Sequence, residues 1–395
     1  MKRRSFLKKS ALASTALFTP AFLRSNSSSG LFGNFEGKTL VVIQLSGGND
    51  GLNTIVPFEN DVYYKERPTI AVSKTEVIRL SDELGLNPAL APLRKLYDDG
   101  LLCIINNVGY PNPDRSHFRS MDIWHTASSE EYWNSGWLGR YLDNYCQGRP
   151  AYHALEVDDG LSLALKGDQV NGFAMSSAQQ IGRAADNQFL KQIGAASAAS
   201  TGENLNFLYK TLTSTQESAA YLREQSKVKR SSATYPNGKF AEDLRQIAEL
   251  MIAGTETTIY YVSLGGFDTH AGQVNRQGRL LKEYAGGVAA FVSDLAGQNL
   301  LKNTLILTFS EFGRRVRQNA SAGTDHGTAN NVLVMGGKLR KSGFFNPGPD
   351  LSQLNDQDLI YKLDFRNIYA SVLQNWLNAD AAVVLHKKYE VLNFV

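Results

Sequence analysis

Acids, imidazoles and hydroxyls cluster at a few points of the chain, each just after an apolar run. SGGNDGLNT holds Asp50 and Asn53, and GYPNPDRSHFRS holds Arg115, Ser116 and His117. GGFDTHAGQ holds Asp268 and His270, while SEFGRR holds Glu311 with Arg314 and Arg315 behind it. GTDHGTANN, a little further on, holds Asp325, His326 and Asn330. Carboxylates gathered in one place repel each other, and their desolvation is costly unless cations sit among them. Carboxylate oxygen and neutral imidazole are the donors that divalent Zn, Mn or Mg take. One or two such ions fit the inventory; a pair ~3.5–4 Å apart would activate a nucleophile and stabilise a leaving oxygen. Each residue alone has a plainer reading. Asp50 can be a helix N-cap, Asp268 and Asp325 turn residues, His117 a cap or packing group, and Glu311 a salt-bridge partner of Arg314 or Arg315. His125 and His153 suggest no role. The joint placement is what argues for a site.

The elements that must position these residues are short and almost wholly apolar: TLVVIQL (39–45), LLCIINNV (101–108), TTIYYVSL (257–264), NTLILTF (303–309) and NVLVMGG (331–337). They do not alternate polar with apolar, as expected of strands buried on both faces of a helix-covered, mainly parallel sheet. Helical periodicity lies between them. Tyr369, Val372, Leu373, Trp376 and Leu377 make one stripe with Asp364 as N-cap, and Phe240, Leu244, Ile247 and Met251 make another. Residues 277–297 read as helix despite Gly286 and Gly287. Residues 185–236 form a helical excursion with a mobile loop near 227–235, within a helical insertion over about 185–256. In an open parallel sheet, ligands bind beyond the carboxyl ends of the strands, so the motifs should share one crevice. His326 precedes its strand instead of following it. It joins the others only if that strand runs antiparallel or the 312–330 loop folds back over the pocket.

At 395 residues and 43% hydrophobic content the chain can bury a large core. Residues 1–24 open with Arg3-Arg4-Ser5-Phe6-Leu7-Lys8 and an apolar run too short to span a bilayer, the pattern of a twin-arginine export signal. Residues 25–37 read as a Ser/Gly/Asn linker and 38–395 as one α/β domain. Six of the 41 basic residues (Lys2, Arg3, Arg4, Lys8, Lys9, Arg24) and none of the 38 acidic ones fall in 1–24, so the rest carries a net charge of −3. Nothing in that balance suggests a nucleic-acid footprint. No stable transmembrane span is expected after signal removal. Cys103 and Cys146 are the only cysteines; a disulfide is open, though Cys103 reads as a core residue.

Taken together, LSGGNDGLNTIVP, RSHFRSMDIW, GGFDTH, TFSEFGRR, TDHGTANNVLVMGG and DFRNIYASVLQNWL resemble a family of exported bacterial proteins of unknown function. That family carries twin-arginine signals and is grouped with the alkaline phosphatase/sulfatase-like superfamily. The resemblance covers residues 38–378. It implies metal ligands at strand ends and a hydroxyl nucleophile at a helix start. Asp50 then matches the acidic ligand after the first strand, and Ser116 the nucleophile, with Ser120 a rival. Asp268, His270 and His326 match one metal's ligands, and Glu311 a ligand of the second. The superfamily's Asp-His pair reads Ser310-Glu311 or Glu311-Phe312 here, so one imidazole is missing. The Asp-x-His spacing of 268–270 is also tighter than usual.

The leading expectation is a metal-dependent periplasmic hydrolase of phosphate or sulfate esters, acting on an anionic small molecule or glycan ester. Arg115, Asn53 and Arg314 would bind the substrate's anionic oxygens. Its only implied protein partner is the twin-arginine export machinery. A non-catalytic exported binding protein that retains the fold is the alternative. A serine esterase built on Ser46, Asp268 and His270 is a third. GGNDG lacks the GxxxxGK[ST] pattern of a nucleotide site.

Overall fold

A computed structural model describes residues 37–177 and 203–395, with the side chains of 203–213 excluded. The signal, nearly all of the linker and residues 185–202 of the insertion lie outside the described residues.

Among the described residues, nine strands build the main sheet: β1 (Thr39–Leu45), β2 (Leu102–Gly109), β3 (Ala154–Val157), β4 (Phe173–Ala174), β5 (Ile259–Leu264), β6 (Thr304–Phe309), β7 (Asn330–Gly336), β8 (Gly343–Phe344) and β9 (Leu363–Asp364). Their order is β8-β2-β7-β6-β1-β5-β3-β4, with β9 also paired to β2. β1 pairs in parallel with β5 and β6, while β7 runs antiparallel to both β6 and β2. The helix-covered, mainly parallel sheet and its one reversed central strand are as expected. Because β7 is reversed, its beginning lies at the edge where β1, β2, β5 and β6 end. His326 therefore starts from the correct rim.

The central strands lack alternation because both faces are covered. Every residue of β1 after Thr39 is buried, as is every residue of β6. On one face Val41, Ile43 and Ile306 join a core with Phe240, Leu244, Val288 and Phe291. Four helices matter here, α1 (His117–Thr126), α2 (Trp137–Tyr145), α3 (Lys239–Ile252) and α4 (Gln273–Gly297), and the last two supply those aromatic and aliphatic residues. On the other face Trp124 of α1 stacks on Phe309 and on Phe365, with ring centroids 4.8 and 4.3 Å apart. Phe365 opens α5 (Phe365–Ser371), where Asp364 accepts the Arg366 amide as the expected N-cap. That helix continues as a π turn over Val372–Trp376. The Gly286-Gly287 pair does not break α4. A methyl on Gly287 would lie 3.2–3.3 Å from Phe240 and Leu244, so the missing side chain lets α3 and α4 pack closely.

Within the 227–235 loop, Ser231 Oγ and Tyr235 OH both donate to Asp294 Oδ2, at 2.6 and 2.9 Å. Cys103 and Cys146 are both free and buried, their thiols pushed up to about 12 by desolvation, so neither forms a disulfide nor ionises near neutrality. Among the described residues, no helix is long and apolar enough to cross a membrane.

Candidate metal centre

The loop after β6 doubles back as a long hairpin. Arg314 and His326 form an isolated antiparallel bridge, and Gly327 N donates to Gly313 O at 2.9 Å. Only glycine fits two of these positions. A Cβ on Gly313 would sit 2.1 Å from the Ala329 carbonyl, and one on Gly327 2.4 Å from the Arg314 backbone. The hairpin sets Arg314 and His326 side by side, facing the loop after β5 that carries Asp268. α1 delivers His117 as its first residue.

Four side chains converge on Asp268 Oδ1. Arg314 Nη2 donates to it at 2.8 Å, and His270 Nδ1 lies 2.8 Å away. His326 Nε2 lies 3.4 Å away and His117 Nε2 3.6 Å away. The His117 and His326 rings meet edge to face with centroids 4.4 Å apart.

The hydrogen bonds at the far nitrogens settle the tautomers. His326 Nδ1 lies 2.7 Å from the Arg115 carbonyl, which can only accept, so Nδ1 carries the proton and Nε2 a lone pair. His117 Nδ1 lies 2.9 Å from Glu311 Oε1, which makes it a donor to the carboxylate and, in the neutral ring, leaves Nε2 bare. That nitrogen is buried and has no hydrogen-bond partner. His326 Nε2 stands at the outer limit of a hydrogen bond to Asp268 Oδ1 at 3.4 Å and His117 Nε2 beyond it at 3.6 Å, so two ring nitrogens and a carboxylate oxygen point at one another across long gaps. A cation among them would satisfy all three. One donor atom each from His117, Asp268 and His326 lies within 4.8 Å of the others, so this group could hold a metal ion. The second partners on both imidazoles follow the usual orientation of metal-binding histidines.

The electrostatics agree. Burial alone would raise the Asp268 pKa, but the Arg314 guanidinium, helped by His270 and His117, holds it at about 2, so the carboxylate is charged. The hydrogen bond to Glu311 raises the His117 pKa, while burial lowers that of His326.

Several expected site residues lie elsewhere. Asp50 is buried behind the rim. Its Oδ1 caps the turn Gly51–Asn53 through the Leu52 and Asn53 amides, and its Oδ2 takes Arg67 Nη1 at 2.6 Å and Gln273 Nε2. Both oxygens are consumed, which removes it from the ligand set. Asn53 is likewise engaged, accepting from Tyr63 OH and Arg67 and donating to the Ile70 carbonyl; it offers nothing to a substrate. Glu311, with no exposure, stands behind His117 and not at an ion: Oε1 also accepts the Gly47 amide at 2.8 Å. Arg314 is buried, and its guanidinium donates to the carbonyls of Gly47, Gly48, Phe267 and Thr324 as well as to Asp268. It braces the ligand loop, buried and engaged through Nε, Nη1 and Nη2. The Arg115 side chain turns to Asp358 and Asp356, so its contribution to the centre is its carbonyl.

Ser116 does open α1, exposed, and makes no capping hydrogen bond with its hydroxyl. Ser120 is buried and donates to the Asp114 carbonyl at 2.8 Å, a structural role. Asp325 is exposed and accepts from Asn319; Asn330 donates to the Asn49 and Phe312 carbonyls. Among the described residues no hydrogen bond joins Ser46 to His270, so the triad of the third alternative, a serine esterase, is not assembled. The residue missed as a ligand is His117. Its sequence signal was its place just after a strand exit and beside the candidate nucleophile, but a first-turn histidine also reads as a cap.

The family described as "Protein of unknown function (DUF1501)" matches residues 102–375, more than half of the chain. This chain belongs to that family. The match takes in His117, Asp268 and His326 and leaves out Asp50 and Asn53. A search of curated proteins finds no match to this DUF1501 member. Among solved structures it is similar to the PsFucS1 sulfatase from Pseudoalteromonas sp., at 13% identity and TM-score 0.38, over 85% of this chain and 67% of that one. It is also similar to the C-terminal periplasmic domain of EcEptC from Escherichia coli, in complex with Zn, at 11% identity and TM-score 0.36, over 76% and 72%. A third likeness is to the phosphonate monoester hydrolase SpPMH from Silicibacter pomeroyi, at 8% identity and TM-score 0.33, over 89% and 77%.

Proposed function

We propose that this protein is a metal-dependent hydrolase of phosphate or sulfate esters, with a single-ion centre held by His117, Asp268 and His326. The observation that carries the metal reading is the buried, unpartnered His117 Nε2 facing Asp268 Oδ1 and the bare His326 Nε2. Two imidazoles and a carboxylate favour Zn or Mn over Mg, which prefers all-oxygen sites. A bound ion there supplies Lewis acidity to a phosphoryl or sulfuryl oxygen. His270, held by Asp268 on the exposed side, is placed to approach the same region. Ser116 supplies the hydroxyl nucleophile in this reading. Its support is the exposed, uncapped hydroxyl one residue before a ligand. The alkaline phosphatase/sulfatase-like assignment and the export route rest on the motif resemblance and on the twin-arginine pattern of residues 1–24.

The test is elemental analysis of purified protein with turnover of aryl phosphate and aryl sulfate esters, before and after chelation. Near-stoichiometric Zn or Mn, with turnover lost on chelation and in Ser116→Ala, supports the reading. Metal bound without turnover on any ester points to an exported binding protein that retains the fold. Absence of metal defeats both the ligand set and the hydrolase.

A further inference from the structure

We propose that Asp358 is a positioning residue for this centre: it clamps Arg115 so that the Arg115 carbonyl fixes which nitrogen of His326 faces Asp268. The consequence for metal affinity rests on the reading above; the effect on the histidine itself does not.

Asp358 lies far from Asp268 in function but is joined to it through three links. Its Oδ2 accepts Arg115 Nη2, the Arg115 carbonyl accepts His326 Nδ1–H at 2.7 Å, and His326 Nε2 then faces Asp268. The Asp358 side chain is 1% exposed. A carboxylate so buried is retained only if paired, and Arg115 is its partner.

The geometry of that pair is informative. An arginine and a carboxylate free to arrange themselves adopt a two-bond fork. Here Arg115 Nε and Asp358 Oδ1 are both buried and without a hydrogen-bond partner. The pair forgoes that geometry while the Arg115 carbonyl is held at the other end by His326. The side chain is fastened on one side and the carbonyl on the other, so the ion pair orients a peptide group.

The hairpin that presents Asp358 is built for this placement. Leu354–Asn355 pairs with Asp358–Leu359, and the turn residues Asp356 and Gln357 have φ of 50° and 66°. Positive φ at both central positions is the tight-hairpin turn that glycine or asparagine would enter more easily. The strained turn is held by its surroundings. Val316 N donates to the Gln357 carbonyl at 3.4 Å, and Thr328 Oγ1 to the Leu359 carbonyl at 2.6 Å. Thr328 lies two residues from His326, so the same hairpin grips both the carbonyl and the loop of the histidine it orients. Asp356, 68% exposed and 3.4 Å from Arg115, is a peripheral member.

The test uses the full chain carrying Asp358→Asn, Asp358→Ala or Asp356→Asn. Long-range proton–nitrogen correlation spectra of the metal-free protein read the His326 tautomer, and titration with Zn alone reads affinity. In the wild type, His326 should show a protonated Nδ1 and a bare Nε2. Both Asp358 variants should mix the two tautomers and weaken Zn binding by about 10–100-fold, the range for second partners of metal-binding histidines. The His117 tautomer, held by Glu311, should not change, and Asp356→Asn should change neither readout. If Asp358→Ala does not fold, Asp358→Asn decides. An unmixed His326 tautomer in Asp358→Asn overturns the proposal. A mixed tautomer in a protein whose wild type binds no Zn upholds the positioning role and overturns the metal centre.

Discussion

Glu311 Oε1 receives the Gly47 amide at 2.8 Å and His117 Nδ1 at 2.9 Å, so one fully buried oxygen ties the turn after β1 to the first residue of α1. The relationship makes Glu311 the orienter of an imidazole. It also explains why a carboxylate stands where a buried strand runs out: the loop amide and the ring nitrogen supply the hydrogen bonds that its burial demands.

Glu311→Gln keeps the shape and an acceptor oxygen but removes the charge. Binding of Zn should weaken by about 10–100-fold with little change in fold, read by calorimetric titration and far-ultraviolet circular dichroism. Unaltered affinity would place Glu311 outside the centre.

Arg314→Ala should be among the most damaging single changes. It strips hydrogen bonds from four carbonyls and leaves Asp268 without its guanidinium. A loss of about 3–5 kcal/mol is expected from urea unfolding midpoints. Arg314→Lys should recover only part of it, since an ammonium cannot reach so many acceptors at once.

Gly48→Ala tests the packing behind the site. Gly48 has φ of +69°, and a Cβ there would lie 2.1 Å from the Phe312 ring. Strain and displacement together should cost about 1–3 kcal/mol, measured as a lowered unfolding midpoint. The Phe312 ring lies against His117 and His326, with centroids 4.9 and 4.7 Å away, so metal affinity should fall as well.

The pH dependence of the metal-free protein has parts of opposite sign. Asp268, at about 2 in the folded state, adds stability that is complete above its unfolded value of ~3.9 and is lost as pH falls through about 2. His326, lowered by burial, adds stability that is present above ~6.5 and lost as pH falls below that value. His117, raised by Glu311, does the reverse: its contribution is full below ~6.5 and disappears as pH rises through its folded pKa. The stability gap between wild type and Glu311→Gln should therefore be wider at about pH 5 than at about pH 8, read from urea midpoints. An equal gap at both values would remove the Glu311–His117 pairing as its source.

The unbroken apolar runs announced strands covered on both faces, since a half-exposed strand would alternate. Those runs also placed the polar motifs at one edge, and the position of His326 ahead of its strand required a reversed strand or a folded-back loop. Local patterning determined this much because it depends on which residues avoid water. It could not tell the front of the crevice from its back. Asp50 and Asp268 both follow strands inside glycine-rich turns, yet Arg67 and Gln273 consume one while the other faces imidazoles. His117 and Glu311 exchanged expected importance for the same reason. Whether a carboxylate or a ring nitrogen remains available is decided by the donors and acceptors that distant segments bring to it. The tertiary structure alone determines those partners.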